Sequence, residues 1–311
     1  MNADKKFFSK VGFTYLIYAI AAIIIQIILI NILGAINYDF INDFNSLTII
    51  SAICNYVLPF PILYYLMKKL DSQTPEKDTL TIKTFMTYIA ITLTLMWAGN
   101  IIGLAITTLI NLFTSLDVSN PVQTLLNSTD LWLNLLLISI IGPIFEEIIF
   151  RKFLIDRTIK YGAKVSIFLS ALIFGLFHGN LNQFFYAFML GGFFAYIYIK
   201  TRKIKYTILL HIIVNLMGSV VSLFVISSVQ NIISGPIPPL DLVIVLVYIM
   251  IILVSFLIAL IKILKDYKNI DLNEISGKIT LAEPVKTVLA NPGMILFIGF
   301  CIALMIRQII A

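Results

Sequence analysis

Seven stretches of this chain, 11–38, 44–67, 84–116, 165–199, 206–240, 242–261 and 287–306, contain no Asp, Glu, Lys or Arg. Their apolar residues run on continuously, without the period-two alternation of a half-exposed strand, so they read as helices. About 20 apolar residues cross a bilayer as a helix, so each run is long enough to span, and the longest are helix pairs or a helix plus a loop. Hydrocarbon offers the backbone no hydrogen-bond partner, which leaves only helices or closed barrels as spanning structures. The pattern predicts an all-α, polytopic membrane protein with about nine transmembrane helices, eight being the alternative count. The spans are placed near 12–34, 46–68, 84–113, 131–150, 164–179, 182–200, 206–227, 239–262 and 293–311.

Composition agrees: 60% of the 311 residues are hydrophobic and 12% charged, too little charge to cover a water-soluble surface. The charge that remains is ordered. Lys5, Lys6 and Lys10 precede the first span, and Lys68, Lys69, Lys77 and Lys83 fill the second loop. The fourth holds Arg151, Lys152, Arg157, Lys160 and Lys164, and the sixth Lys200, Arg202, Lys203 and Lys205. The eighth holds Lys262, Lys265, Lys268, Lys278 and Lys286, whereas the loops 35–45, 114–130, 180–181 and 228–238 have no Lys or Arg. The positive-inside rule then places the chain in the cell membrane with its N-terminus in the cytoplasm and its C-terminus outside, Arg307 being the outer exception. The net charge of +6 belongs to these loops and not to a nucleic-acid surface. Cys54 and Cys301 fall inside spans, so neither a disulfide framework nor a paired-cysteine metal motif is expected. The first apolar run is too long for a cleavable signal peptide, and the longest polar segment, about 263–292, is too short to bury a core. Pro59, Pro61 and Pro143 lie in or beside spans and read as kinks.

An ionisable side chain at the centre of a membrane helix costs about 2.5–3.5 kcal/mol on insertion scales, so the few present here stand out. The protein has two histidines, His178 and His211, both within apolar runs, and one adjacent acidic pair, Glu146-Glu147. Glu147 and Arg151 are four residues apart and share a helix face, the spacing of an ion pair, while Glu146 points about 100° away. Phe174 and His178 share a second face, with Gly179-Asn180 placed to end that helix. His211 and Asn215 share a third. Each pair alone also suits a plain structural role, as an interfacial salt bridge or as polar glue between helices. Counting about 1.5 Å per residue from a turn near 160–163 puts Glu146 and His178 level, each roughly 22 Å away. Counted from Arg151, Glu146 lies about 8 Å within the apolar layer, and His211, about six residues past Lys205, comes to a similar depth.

A carboxylate, two imidazoles and an amide meeting in a partly dry pocket are equipped to hydrolyse an amide. Glu146 can take a proton from water with help from His178, and His211 and Asn215 can donate to the developing oxyanion. The same inventory can instead hold zinc through Glu146, His178 and His211, so a metal-free and a zinc mechanism both stay open, with no cofactor assigned. No glycine-flanked serine motif and no HExxH are present.

Three segments also carry a resemblance. Glu146-Glu147-Ile148-Ile149-Phe150-Arg151, Phe174-Gly175-Leu176-Phe177-His178 and His211-Ile212-Ile213-Val214-Asn215 read, in order, as EExxxR, FxxxH and HxxxN. In this the sequence resembles the CAAX protease and bacteriocin-processing (CPBP, or Abi) family of membrane peptidases, over about 140–216. The resemblance implies an all-helical core opening to the cytoplasm, with Glu146 as base and His178 helping to activate water. It assigns His211 and Asn215 to the oxyanion site, and Glu147, Arg151 and Phe174 to support. The expected organisation is N-terminal transmembrane helices over 1–130, a catalytic core over 131–227 and C-terminal transmembrane helices over 228–311. The expected activity is that of an intramembrane endopeptidase acting on a peptide or protein at the lipid bilayer. Prenylated tails are one substrate class. The Ile, Asn and Lys bias points to an AT-rich bacterial source, and so toward peptide processing or bacteriocin immunity. A non-catalytic membrane regulator or scaffold with the same fold is the alternative, and a transporter with a His/Glu proton relay the third reading.

Overall fold

The computed structural model describes residues 2–73, 78–114, 118, 121–266 and 285–310. Lys77, Lys268 and Lys278, counted among the basic loop residues, lie outside the described residues, as does most of the polar segment expected at 263–292. Among the described residues every regular element is helical. In chain order the apolar helices are α1 (Ala3–Ile36), α2 (Phe44–Lys68), α3 (Ile82–Phe113), α4 (Leu131–Tyr161), α5 (Ala163–Phe177), α6 (Leu181–Thr201), α7 (Ile204–Ser234), α8 (Pro239–Asp266) and α9 (Pro292–Ile310).

Eight of these, among the described residues, are long and apolar enough to cross a membrane, and the chain is a multi-pass membrane protein. The other is α5, whose 15 residues rise about 22 Å against a hydrocarbon thickness of about 30 Å. It stops where it does for a local reason. Gly179 adopts a left-handed conformation (φ 63°), which glycine takes without a Cβ clash. Asn180 then caps α6, its side chain accepting from the Gln183 amide at 2.8 Å. At the other extreme, α4 runs on to Tyr161, well past the boundary expected at 150. Its charged second half stays helical because neighbours receive it: Arg157 Nε donates to Met67 O at 2.6 Å, and Tyr198 donates to Asp156 Oδ1 at 2.8 Å.

Two apolar clusters hold the bundle. One joins α1 (Phe8, Val11, Tyr15, Tyr18), α2 (Leu63, Met67), α4 (Phe150, Leu154), α5 (Leu169, Phe174) and α9 (Met294, Phe297). The other joins α3 (Tyr88, Leu93, Met96), α6 (Leu190, Phe194, Ile197) and α7 (Leu210, Val214). α8 lies at the edge and turns Leu246, Met250, Leu253 and Leu257 outward, where lipid, unlike water, accepts them. Contacts also sort the connecting segments by end. Lys160 sits 4.6 Å from the Phe7 ring, Gln73 N donates to Asp156 O, Asp78 N to Thr201 O, and Arg202 lies 3.6 Å from Asp156. The N-terminus and the basic second, fourth and sixth loops therefore share one end. At the opposite end Thr48 meets Thr129, Asp130 N donates to Asn45, and Asn231 donates to Asp241.

α1 and α9 touch through backbone. A Cβ built on Gly293 would lie 1.9 Å from Ser9 O, and the Gly293 amide donates to Ser9 Oγ at 3.1 Å. Gly293→Leu is expected to force these helices apart, at a cost of about 1–3 kcal/mol or more, read as a lower midpoint of thermal unfolding in detergent. Gly299→Ala, where an added Cβ meets nothing within 4 Å, should leave the midpoint in place.

Candidate active site

Where the two clusters meet, α4 departs from regular α-helix. Glu146 and Glu147 sit in one α-helical turn, Gly142–Glu147, between two π-helical stretches, Asn134–Ile141 and Ile148–Phe153. α2 carries a similar stretch at Ile53–Val57 and α7 another at Met217–Val221. Such turns are rare and put carbonyls out of register with the ladder. In a dry interior those carbonyls need donors, and side chains from other helices provide them. Tyr18 donates to Asn55 O at 2.5 Å, Asn215 Nδ2 to Ile138 O at 2.8 Å, Tyr15 to Ile149 O at 2.8 Å and Ser170 to Phe150 O at 2.9 Å.

The ion pair read from the four-residue spacing is present: Glu147 Oε2 lies 3.2 Å from Arg151 Nε, with both side chains 0% exposed. Two buried charges are the better tolerated the more of their remaining donors and acceptors are engaged; here Arg151 Nη2 has no hydrogen-bond partner. Arg151 Nη1 donates to Ser170 Oγ at 3.2 Å, and the guanidinium stacks 4.4 Å from the Phe174 ring, with Phe194 beyond at 5.7 Å. The other carboxylate oxygen, Glu147 Oε1, lies 2.9 Å from His211 Nδ1. Thr207, one turn before His211 on α7, flanks the same carboxylate.

His211 bridges both glutamates, because its Nε2 faces Glu146 Oε2 at 3.5 Å. A neutral imidazole has one N–H and an ionised carboxylate only accepts. The neutral ring can therefore donate to one of the two carboxylates, and only an imidazolium to both. Glu146 Oε1 receives the hydroxyl of Tyr56 at 2.6 Å. Among the four members of this chain, Glu146 is the one that reaches open space, with its side chain 16% exposed against 5% for His211 and 0% for the ion pair.

His178 stands at the C-terminal end of α5, and its Nδ1 bonds to Phe174 O at 2.8 Å. A carbonyl only accepts, so Nδ1 is the donor and Nε2 keeps the lone pair in the neutral ring. The ring of Phe174 is wedged edge-on between the imidazoles, 4.8 Å from His178 and 5.6 Å from His211. His178 lies within the electrostatic reach of Glu146, His211 and Arg151. Of the residues singled out in the sequence, Glu146, Glu147, Arg151, Phe174 and His211 are thus in direct contact, and His178 joins them through Phe174. Asn215 stands apart by one turn. Its amide is turned to Ile138 O, and Ser219, which donates to Asn215 O at 2.7 Å, continues the polar stripe to Ser139.

Sequence reasoning missed Tyr56, Ser170 and Thr207. Thr207 was within reach, since Thr207, His211, Asn215 and Ser219 recur every four residues on one face of α7. Tyr56 and Ser170 had no local signal, because what matters is the register of α2 and α5 against α4. Among the described residues no group of three or more His, Cys, Asp or Glu is arranged to hold a metal ion. Both ring nitrogens of His211, one of the three residues considered as zinc ligands, face carboxylates.

Residues 128–217, which hold Glu146, Glu147, Arg151, Phe174, His178, His211 and Asn215, match the sequence profile of the family described as type II CAAX prenyl endopeptidase Rce1-like. The candidate membrane peptidase YdiL of Bacillus subtilis (strain 168) is 36% identical over 81 residues, 25% of this chain and 32% of that protein. The match thus spans about a third of that relative's length. No solved structure matches the chain.

Removing one partner of a buried pair strands the other charge. Arg151→Leu is expected to destabilise the protein by about 3–5 kcal/mol, measured as the shift in thermal unfolding in detergent. The double change Glu147→Gln with Arg151→Leu, which strands no charge, should recover a good part of that loss.

Proposed function

From the premise that the chain belongs to the Rce1-like family of CAAX-type intramembrane peptidases, we propose that it is an endopeptidase. It hydrolyses a peptide bond with water activated at Glu146. The observation that carries this reading is the ordered chain Arg151–Glu147–His211–Glu146, buried along its length and open only at the last carboxylate. The inner carboxylate is paired with the guanidinium and fixes the imidazole, and the outer one is left facing the space where water can arrive.

In the proposed reaction Glu146 takes a proton from water while the lone pair of His178 Nε2 orients that water. The oxygen adds to the scissile carbonyl, whose electrons move to its oxygen. Donors near the site are His211 Nε2–H and the second amide hydrogen of Asn215, the first being bound to Ile138 O. Glu146 then returns its proton to the amide nitrogen, the C–N bond breaks, and a carboxylic acid and an amine leave, the acid passing its proton to the amine. Glu147, Arg151 and Phe174 touch no reacting atom in this scheme and hold the others in place.

The substrate is a peptide or protein segment lying at the bilayer. Prenylated tails are one class, and peptide maturation or self-immunity toward bacteriocins another. The site opens to the cytoplasm, with the N-terminus on that side and the C-terminus outside, a reading supported by the gathering of the basic loops at one end. Residues 131–227 form the catalytic core, flanked by the helices of 1–130 and 228–311.

Glu146→Gln and His178→Ala should each lower cleavage by at least about 10²–10⁴-fold while the protein remains folded and inserted. Mass spectrometry of membrane-associated peptides, comparing cells that make the parent with cells that make Glu146→Gln, identifies the product. Full cleavage by Glu146→Gln in detergent removes the base from this scheme. Activity is expected to survive chelation; stoichiometric zinc in elemental analysis, lost together with activity, replaces the scheme with a metal-centred one.

A further inference from the structure

Among the described residues outside the segment that matches the family, one side chain is seen to hydrogen-bond to Glu146. Tyr56 belongs to α2, in its π-helical turn Ile53–Val57, and donates its hydroxyl proton to Glu146 Oε1 at 2.6 Å. Three further contacts hold it there. Its ring stacks on Phe145 with centroids 5.7 Å apart and planes 22° from parallel. Tyr18 of α1 pins the same turn by donating to Asn55 O. The hydroxyl also lies over the backbone of Gly142, where an added Cβ would come within 3.2 Å of it, so the bare backbone gives the phenol its seat.

We propose that Tyr56 is the positioning residue of Glu146, an assignment that rests on Glu146 acting as the base. A carboxylate free to rotate offers either oxygen to water. With Oε1 fixed by the phenol, Oε2, the oxygen that faces His211 at 3.5 Å, is the one that takes the water proton and later gives it to the leaving amine. The phenol keeps its own proton throughout, so the step needs no further reactant. Part of the catalytic geometry is thereby supplied by α2, a helix outside the 128–217 segment.

Tyr56→Phe removes the hydroxyl and keeps the ring on Phe145. The expected result in the full-length protein is a fall in kcat of about tenfold to a hundredfold, with KM and the thermal unfolding midpoint near those of the parent. Infrared difference spectra, in which the Glu146 carboxylate band is assigned by its loss in Glu146→Gln, should show that band displaced in Tyr56→Phe. A packing role alone would leave the band where it was. Parental kcat and an unmoved band in Tyr56→Phe, with Glu146→Gln inactive, overturn the positioning role and leave the base intact. An active Glu146→Gln overturns the base itself. If Tyr56→Phe does not fold, 3-fluorotyrosine at position 56 preserves the shape, and its fluorine resonance must move on Glu146→Gln; a resonance that stays put overturns the proposal.

Discussion

Two full charges buried with no exposure at all, Glu147 and Arg151, set the terms for the rest of the core. Taking each ion out of water costs several kcal/mol even after relaxation, and mutual attraction repays this only if the leftover donors and acceptors find partners. The partners come from three other helices: Ser170 from α5, His211 and Thr207 from α7, and the face of Phe194 from α6. An ion pair inside one helix thus fixes the approach of three others. Helices in lipid have no hydrophobic drive to associate with one another, so polar demands of this kind give the bundle its register.

The π-helical turns serve the same end. In three of them carbonyls are met by a hydroxyl or amide from another helix: Tyr18 on Asn55, Asn215 on Ile138, Tyr15 on Ile149, Ser170 on Phe150. A single hydrogen bond of this kind contributes roughly 1 kcal/mol net, but leaving its acceptor unmet in hydrocarbon costs more. The distorted backbone and its clamps are therefore mutually dependent, and together they bracket Glu146 and Glu147.

How much of this was legible in the sequence follows from which relations are local. Helical phase is local, so the facing of Glu147 and Arg151, of Phe174 and His178, and of His211 and Asn215 could be read from four-residue spacing. Span existence was equally plain, because charge-free runs of this length have few alternatives. The fourth span was drawn to 150 with the turn near 160–163, and the helix does run to Tyr161, its charged second half received by tertiary partners such as Tyr198. The fifth span was drawn at 164–179, and the structure ends that helix at Phe177, short of a full crossing. Tyr56 and Ser170 were invisible because nothing in α2 or α5 alone says which of their residues face α4. The double engagement of His211 was hidden too, since the angular offset of Glu146 from Glu147 suggested a carboxylate left apart from the pair.

The truncated α5 also bears on supply. Hydrolysis consumes water, the reactant that a hydrocarbon slab excludes. A helix of 15 residues falls about 8 Å short of a standard bilayer. The vacated thickness falls beside the hairpin between α5 and α6, where Asn180 bonds to Gln183 and Gln183 Nε2 donates to the hydroxyl of Tyr186, whose ring lies 6.4 Å from that of His178. A polar hairpin is thus set beside the end of a helix too short to cross, and the imidazole of His178 stands at that end.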